Sequence, residues 1–132
     1  MKTNINIITK LYTLENVSVE ITDYAAPAKG IKYVIASDGI EIARAYLYVL
    51  KNDLHSEPWG FMEDVFVHDD FRGKGYGTAI VKRVIEGAAE HGCYKLICTS
   101  KHPETRAHAW YKGMGFQNIA QELRIDFPAG SQ

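Results

Sequence analysis

The chain predicts an α+β domain on a mixed, mostly antiparallel twisted sheet, and three observations lead there. The first half is a succession of period-two apolar runs broken by short polar turns. One helix-period stretch follows, with a strand-like run on either side of it. A second short helical stretch and a last alternating segment come after that. With 132 residues, 46% of them hydrophobic and 23% charged, residues 1–132 read as a single domain with material for one core.

Val17-Ser18-Val19-Glu20-Ile21 alternates and predicts the first strand. Ile31–Ala36 and Ile40–Leu50 predict two more, with Ser37-Asp38-Gly39 supplying hairpin turn chemistry between them. Lys51–Gly60 is polar, holds Pro58 and reads as a loop. Phe61–Val67 is a strand in which apolar and acidic residues are mixed. From Gly75 to His91 the apolar residues Ile80, Val81, Val84, Ile85 and Ala88 keep helical spacing, and Gly92 is a helix terminator. Cys93–Thr99 is nearly all apolar, as a strand buried on both faces is. Pro103 suits the first turn of a helix running to about Lys112, and Leu123, Ile125 and Phe127 alternate as a last strand. The strand–helix–strand unit predicts a right-handed crossover between parallel strands, in a three-layer arrangement around one sheet. Residues 1–60 show little helical periodicity, so helices there are reduced or absent.

Composition excludes several classes. A net charge of −1 argues against a general nucleic-acid binder. No apolar run approaches the ~18–20 residues that span a bilayer, so no membrane partner is expected. Alternating rather than continuous apolar residues follow Met1-Lys2-Thr3-Asn4, which lacks the pattern of a secretory signal. Cys93 and Cys98 are placed on opposite faces of one strand and do not bridge, and two thiols without an export signal point to the cytoplasm. No histidine, cysteine or carboxylate set has metal-ligand spacing, so no metal is expected.

The chemistry concentrates where the acidic strand runs into a glycine-rich, cationic loop. Gly73, Gly75 and Gly77 let the backbone approach a ligand closely. The N–H groups of Gly75, Tyr76, Gly77 and Thr78 open the next helix and lack intrahelical acceptors, so with the helix dipole they form an anion site. Arg72 and Lys74 add positive charge at its rim. The spacing is not that of a P-loop, and a dinucleotide fingerprint needs glycine where Thr78 stands.

Arg72-x-x-Gly75-x-Gly77, the helix after it, and Ala107-His108-Ala109-Trp110-Tyr111-Lys112-Gly113-Met114-Gly115-Phe116 together resemble the GNAT superfamily of N-acetyltransferases. Glu63-Asp64 before Val67, and Gly92-Cys93-Tyr94-Lys95, are most similar to the glucosamine-phosphate N-acetyltransferases within it. The resemblance implies the acyl-CoA N-acyltransferase fold. It also implies transfer of an acetyl group from acetyl-CoA, as acyl-donor cosubstrate, to a primary amine by direct attack in a ternary complex. The acceptor is a small molecule on this reading; a protein lysine or N-terminus, or a non-catalytic CoA-binding module, are the alternatives. Residues 72–78, with the backbone of Val65, Phe66 and Val67, are the cofactor-binding candidates, and His108 is a further contact candidate on the Tyr111 helix. An N–H near Val65 or Phe66 would hold the thioester oxygen, if the strand bulges there. Tyr111 matches the family's tyrosine near the sulfur as proton donor, against a place in a core stripe with Trp110. Glu63 is the preferred base for the ammonium acceptor, with Asp64 beside it either sharing that work or making a structural hydrogen bond. His55, Glu57 and Trp59 lie in a loop placed to shape an acceptor pocket. Exposed strands in the first 60 residues leave room for a homodimer.

Overall fold

A computed structural model describes residues 9–100 and 106–128. β1 (Thr9–Leu14) and β2 (Val17–Thr22) form an antiparallel hairpin separate from the main sheet. Its turn residues Glu15 and Asn16 both have positive φ, 48° and 63°, which is the backbone of a two-residue hairpin turn. β1 carries Leu11, Tyr12 and Leu14, which do not alternate, so period-two reading misses it.

The main sheet runs in the order β3 (Ala28–Ser37), β4 (Ile40–Leu50), β5 (Trp59–Val67), β6 (Leu96–Ile97). β3, β4 and β5 are antiparallel neighbours, and the expected turn between β3 and β4 has Asp38 and Gly39 at φ 51° and 76°. β5 and β6 are parallel, joined through a 3₁₀ turn at Asp69–Phe71 and α1 (Tyr76–Glu90), which is the expected crossover. The helical face read from the sequence is the buried one. Ile80, Val81, Val84 and Ala88 of α1 pack on Ala43, Ala45 and Leu47 of β4 and Met62 of β5, each at most 5% exposed. Gly87 allows close approach, because the Tyr33 hydroxyl occupies the space a β-carbon would need. α2 (Arg106–Gly113) lies beside α1, tied by a 2.9 Å hydrogen bond from the Trp110 indole N–H to the Thr78 hydroxyl. The expected start of α2 at Pro103 lies outside the described residues.

Three expectations are corrected. The sheet is not sandwiched: α1 covers one face, while Tyr46, Tyr48 and Phe61 on the other remain part-exposed, with no helix over them among the described residues. Cys93–Thr99 is regular only at Leu96 and Ile97, and Ile97 is 37% exposed, because no strand among the described residues pairs with its outer edge. Leu123–Phe127 has the alternation of a strand but no strand partner among the described residues, and Leu123, Ile125 and Phe127 stand exposed. No helix among the described residues is long and apolar enough to cross a membrane.

Candidate active site

β5 changes face halfway along. Gly60 and Met62 are buried, whereas further on it is Val65 and Val67 that pack against the same core. Even positions point inward first, odd positions afterwards. The switch is Asp64, whose φ of 53° places it in the left-handed region that aspartate tolerates better than most residues. Tyr46 of β4 faces Glu63 while Arg44 faces Phe66, so β5 carries one residue too many there, a β-bulge. The mixed acidic and apolar pattern of this strand is the signature of that phase change.

Arg44 fastens the bulge from the neighbouring strand. Its Nε and Nη2 donate to the two Asp64 carboxylate oxygens at 3.0 and 3.2 Å, a two-pronged pairing that fixes orientation as well as charge. The same guanidinium lies 4.6 Å from the centre of the Phe66 ring and 3.6 Å from Glu41. Glu41 in turn pairs with Lys32 at 2.8 Å, which lowers its pKa below the ordinary carboxylate value.

Past the bulge, one edge of β5 has no strand beside it among the described residues, where β6 pairs with Gly60 and Phe61 alone. His68 N–H donates to the Ile42 carbonyl of β4 at 2.8 Å, so strand alternation turns the N–H groups of Val65 and Val67 away from β4. A cleft of about 620 Å³ borders Val65, Phe66 and Val67 on one side and Ala107, Trp110 and Tyr111 of α2 on the other. Arg106 also lines it, and Gly77 and Arg72 reach it from the glycine loop.

The loop has the geometry an anion cradle needs. Gly73 and Gly75 adopt φ of 75° and 91°, which L side chains strain to reach, and Gly75 caps α1. The first hydrogen bond of α1 is donated by Ala79 to Gly75 at 3.0 Å, so the N–H groups ahead of Ala79 at this end have no helical acceptor. Gly77 lies under Trp110, whose ring is 3.4 Å from where a β-carbon would stand. The loop's cations are folded onto their own turn: Arg72 donates to the Val67 carbonyl and pairs with Asp69, both at 3.0 Å, and Lys74 donates to the Asp70 carbonyl at 3.5 Å. Tyr76 packs edge-on to Phe71.

Tyr111 lines the cleft and also belongs to an aromatic cluster, with Trp110 at 4.8 Å and Phe116 at 5.6 Å between ring centres. Burial raises the pKa of its phenol above the ordinary value, and Cys98 nearby adds to this. Burial likewise pushes the Cys98 thiol up to about 11, and neither Cys98 nor Cys93 is bridged. Both are poor nucleophiles in that state.

The structure therefore brings Val65, Phe66, Val67, Arg72, Gly77 and Tyr111 to one cleft, with Gly73, Lys74, Gly75, Tyr76 and Thr78 in the adjoining loop and helix end. Glu63 is exposed, on the open face opposite Tyr46, next to the bulge but outside the cleft lining. Asp64 is committed to Arg44. His108 is half-buried and does not line the cleft. His55 stacks on Tyr94 at 4.4 Å, away from it. Sequence reading missed Arg44 and Arg106, and it named Trp110 only within the motif stretch and as a core neighbour of Tyr111. Arg44 had a signal: it is a lone charge inside the apolar run Ile42–Tyr48.

Comparison with known proteins agrees with this geometry. The model of the acetyltransferase (GNAT) family matches residues 8–116. An aminoglycoside N(6')-acetyltransferase type 1 of Stenotrophomonas maltophilia is 29% identical over 115 residues, covering 83% of this chain and 74% of that enzyme. A probable glucosamine 6-phosphate N-acetyltransferase of Oryza sativa is 43% identical over 70 residues, which is 52% of this chain but only 39% of that protein. Among solved structures, a Trypanosoma brucei acetyltransferase superposes with a TM-score of 0.70 at 26% identity, over 74% of this chain and 69% of the other. The glucosamine-6-phosphate N-acetyltransferase of Arabidopsis thaliana does so with a TM-score of 0.67 at 26% identity, over 74% and 67%.

Proposed function

The chain belongs to the acetyltransferase (GNAT) family, and we propose that it transfers an acetyl group from acetyl-CoA to the primary amine of a small molecule. The observation that carries the reading is the open edge of β5 leading to the glycine loop. An amide-rich pantetheine arm pairs with strand backbone as another strand would, and Val65 and Val67 turn unshared N–H groups toward the cleft. The helix start at Gly75–Thr78 then receives the pyrophosphate, with Arg72 and Lys74 within reach after leaving their turn. Relatives that act on an aminoglycoside, on glucosamine 6-phosphate and on thialysine favour a small amine acceptor.

In this mechanism each group has one task. The N–H of Val65, aimed by the bulge, donates to the thioester oxygen as it gains charge. Tyr111 keeps its proton at neutral pH, since burial raises its pKa, and gives it to the departing sulfur. Glu63 takes the proton of the incoming ammonium, directly or through water, on the face that no helix covers among the described residues. Asp64 is the weaker base candidate because both its oxygens already accept from Arg44; it positions the bulge.

The test is calorimetric titration with acetyl-CoA, followed by thiol release across a panel of aminoglycosides, amino-sugar phosphates and lysine analogues. Binding with turnover on one of these supports the reading. Tight binding with no turnover on any amine or peptide would turn it toward a CoA-binding module, and absent binding would remove the cleft assignment.

A further inference from the structure

The open face of the sheet has no cation left for a ligand. Strands β3, β4 and β5 contain Lys29, Lys32 and Arg44 and no other basic residue. Lys29 stands on the α1 side, its ammonium 3.5 Å from His91 at the end of that helix. On the open face Lys32 is held by Glu41 at 2.8 Å, and Arg44 by Asp64 at 3.0 Å and Glu41 at 3.6 Å. Glu63 is the third carboxylate there; it is exposed and has no ion-pair partner among the described residues. The face therefore offers one unpaired negative charge and no unpaired positive one.

The surface around Glu63 is aromatic. Tyr46 lies opposite Glu63 in the strand register, and Tyr48 opposite Phe61. The two tyrosine rings run parallel, with 6.2 Å between centres and 6° between planes. Gly30 lets Tyr48 settle onto β3, since a β-carbon there would stand 3.3 Å from the ring. Phe66 continues this surface to the cleft, which it also lines. The C–H face of a ring that bears an ammonium packs well on such π-faces, whereas an anion gains nothing from them.

Resting on the transfer reading above, we propose that the acceptor is an unphosphorylated, ring-borne amine that lies on Tyr46 and Tyr48 with its nitrogen at Glu63. A phosphate brings about −1.5 to −2 of charge. On this face it would meet Glu63 and two cations already engaged. Recruiting Arg44 would also unfasten Asp64 and the bulge. Lys95 does not supply the want. It lies 5.4 Å from the Trp59 ring and 5.2 Å from the Tyr94 ring. Trp59 is four strand residues, about 13 Å, short of Glu63. Arg72, Lys74 and Arg106 stand at the cleft and its loop, which the cofactor occupies on this reading. Rejection of the phosphate and attraction of the ammonium thus come from the same carboxylate. The motif likeness to glucosamine-phosphate enzymes does not reach Lys32, Arg44, Tyr46 or Tyr48.

Glucosamine and glucosamine 6-phosphate differ only in the phosphate, so they are the probes. Each is titrated into wild-type protein, free and with CoA, while the tyrosine ring signals are followed by NMR. Glucosamine is expected to shift the signals of Tyr46 and Tyr48 and to bind about tenfold or more tightly than its phosphate, as a like charge near Glu63 requires. Glu63→Lys supplies an unpaired cation at an exposed position and is expected to reverse the preference. Tyr46→Ala with Tyr48→Ala should weaken glucosamine about tenfold while leaving acetyl-CoA affinity unchanged, and the corresponding phenylalanine pair should restore it. A wild type that prefers the phosphate, a preference unmoved by Glu63→Lys, or alanine variants that bind glucosamine normally would each overturn the proposal. So would binding of neither sugar by protein that still binds acetyl-CoA, an outcome that spares the cofactor cleft. Loss of acetyl-CoA binding with the sugar preference intact would instead remove the cleft reading and leave this face as an amine site.

Discussion

The two halves of β5 show how one strand divides structure from chemistry. Before Asp64 it is held on both edges, by β4 along its length and by β6 at Gly60 and Phe61, and Met62 is 1% exposed in the core. After Asp64 it is held on one edge only among the described residues, and it borders the cleft. Apolar content does not explain the difference, since the second half, Val65-Phe66-Val67, is apolar throughout while the first contains Gly60 and Glu63. What separates them is a single extra residue, which shifts the phase of the side chains and turns the following N–H groups away from β4. The first half uses its backbone in the sheet, and the second is the half on which the proposed acetyl-CoA site depends.

That contrast is broken most directly from the buried side. Met62→Ala removes a fully enclosed side chain beneath Val81 and Val84 and is expected to cost about 2–5 kcal/mol of stability. Turnover per folded molecule should be close to wild type. Denaturant melts paired with activity at low denaturant measure both quantities. A large fall in kcat with unchanged stability would mean that the first half is not merely structural.

The bulge itself sharpens the comparison. Asp64→Ala removes both acceptors of Arg44 and a residue suited to φ 53°. The expected loss is about 10²-fold in kcat, near 2.7 kcal/mol of transition-state stabilisation, the scale of a misplaced oxyanion donor. Asp64→Asn keeps the tolerance for positive φ and one acceptor, so it should recover much of that loss. Arg44→Lys should not recover it, because an ammonium cannot make the paired contact. If Asp64 were instead the base, Asn would be as inactive as Ala and the acidic limb of the pH–rate profile would vanish.

These residues also mark how far the sequence could be read. α1 and its buried face were legible because Ile80, Val81, Val84 and Ala88 repeat with one period and meet a sheet from the same chain. The glycine loop was legible because Gly73 and Gly75 stand where positive φ is needed. The bulge was visible only as disorder in an alternating pattern, since a phase change halves the length over which either phase can be recognised. β1 failed for lack of alternation, and its turn used Glu15, a residue type that does not signal positive φ. The segment Leu123–Phe127 was read as a last strand, but alternation alone does not supply a sheet neighbour, and none is present among the described residues. The uncovered sheet face follows from the same limit, because Tyr46 and Tyr48 fit equally under a helix or a substrate.

Across the cleft from the second half of β5, Tyr111→Phe is expected to have the smallest effect of the three, about tenfold in kcat with little change in acetyl-CoA affinity. A thiolate is already a fair leaving group, with an unperturbed thiol pKa near ~8.5, so a donor helps it less than it would help an alkoxide. Phenylalanine keeps the packing between Trp110 and Phe116, which separates proton donation from cluster stability. The pH dependence gives the sign. Burial raises the folded pKa of Tyr111, so the protonated phenol persists to higher pH than it does in the unfolded chain. The stabilisation linked to that proton is complete below the unfolded value of ~10 and is lost as pH rises through the folded value. Wild-type kcat should therefore fall only above pH ~10, a limb that Tyr111→Phe lacks. Cys98, raised to about 11, titrates in the same range in both proteins, so the difference between their profiles isolates the phenol. Equal rates and superimposable profiles would leave Tyr111 as a member of the aromatic cluster alone, and the proton for the departing sulfur would have to come from solvent.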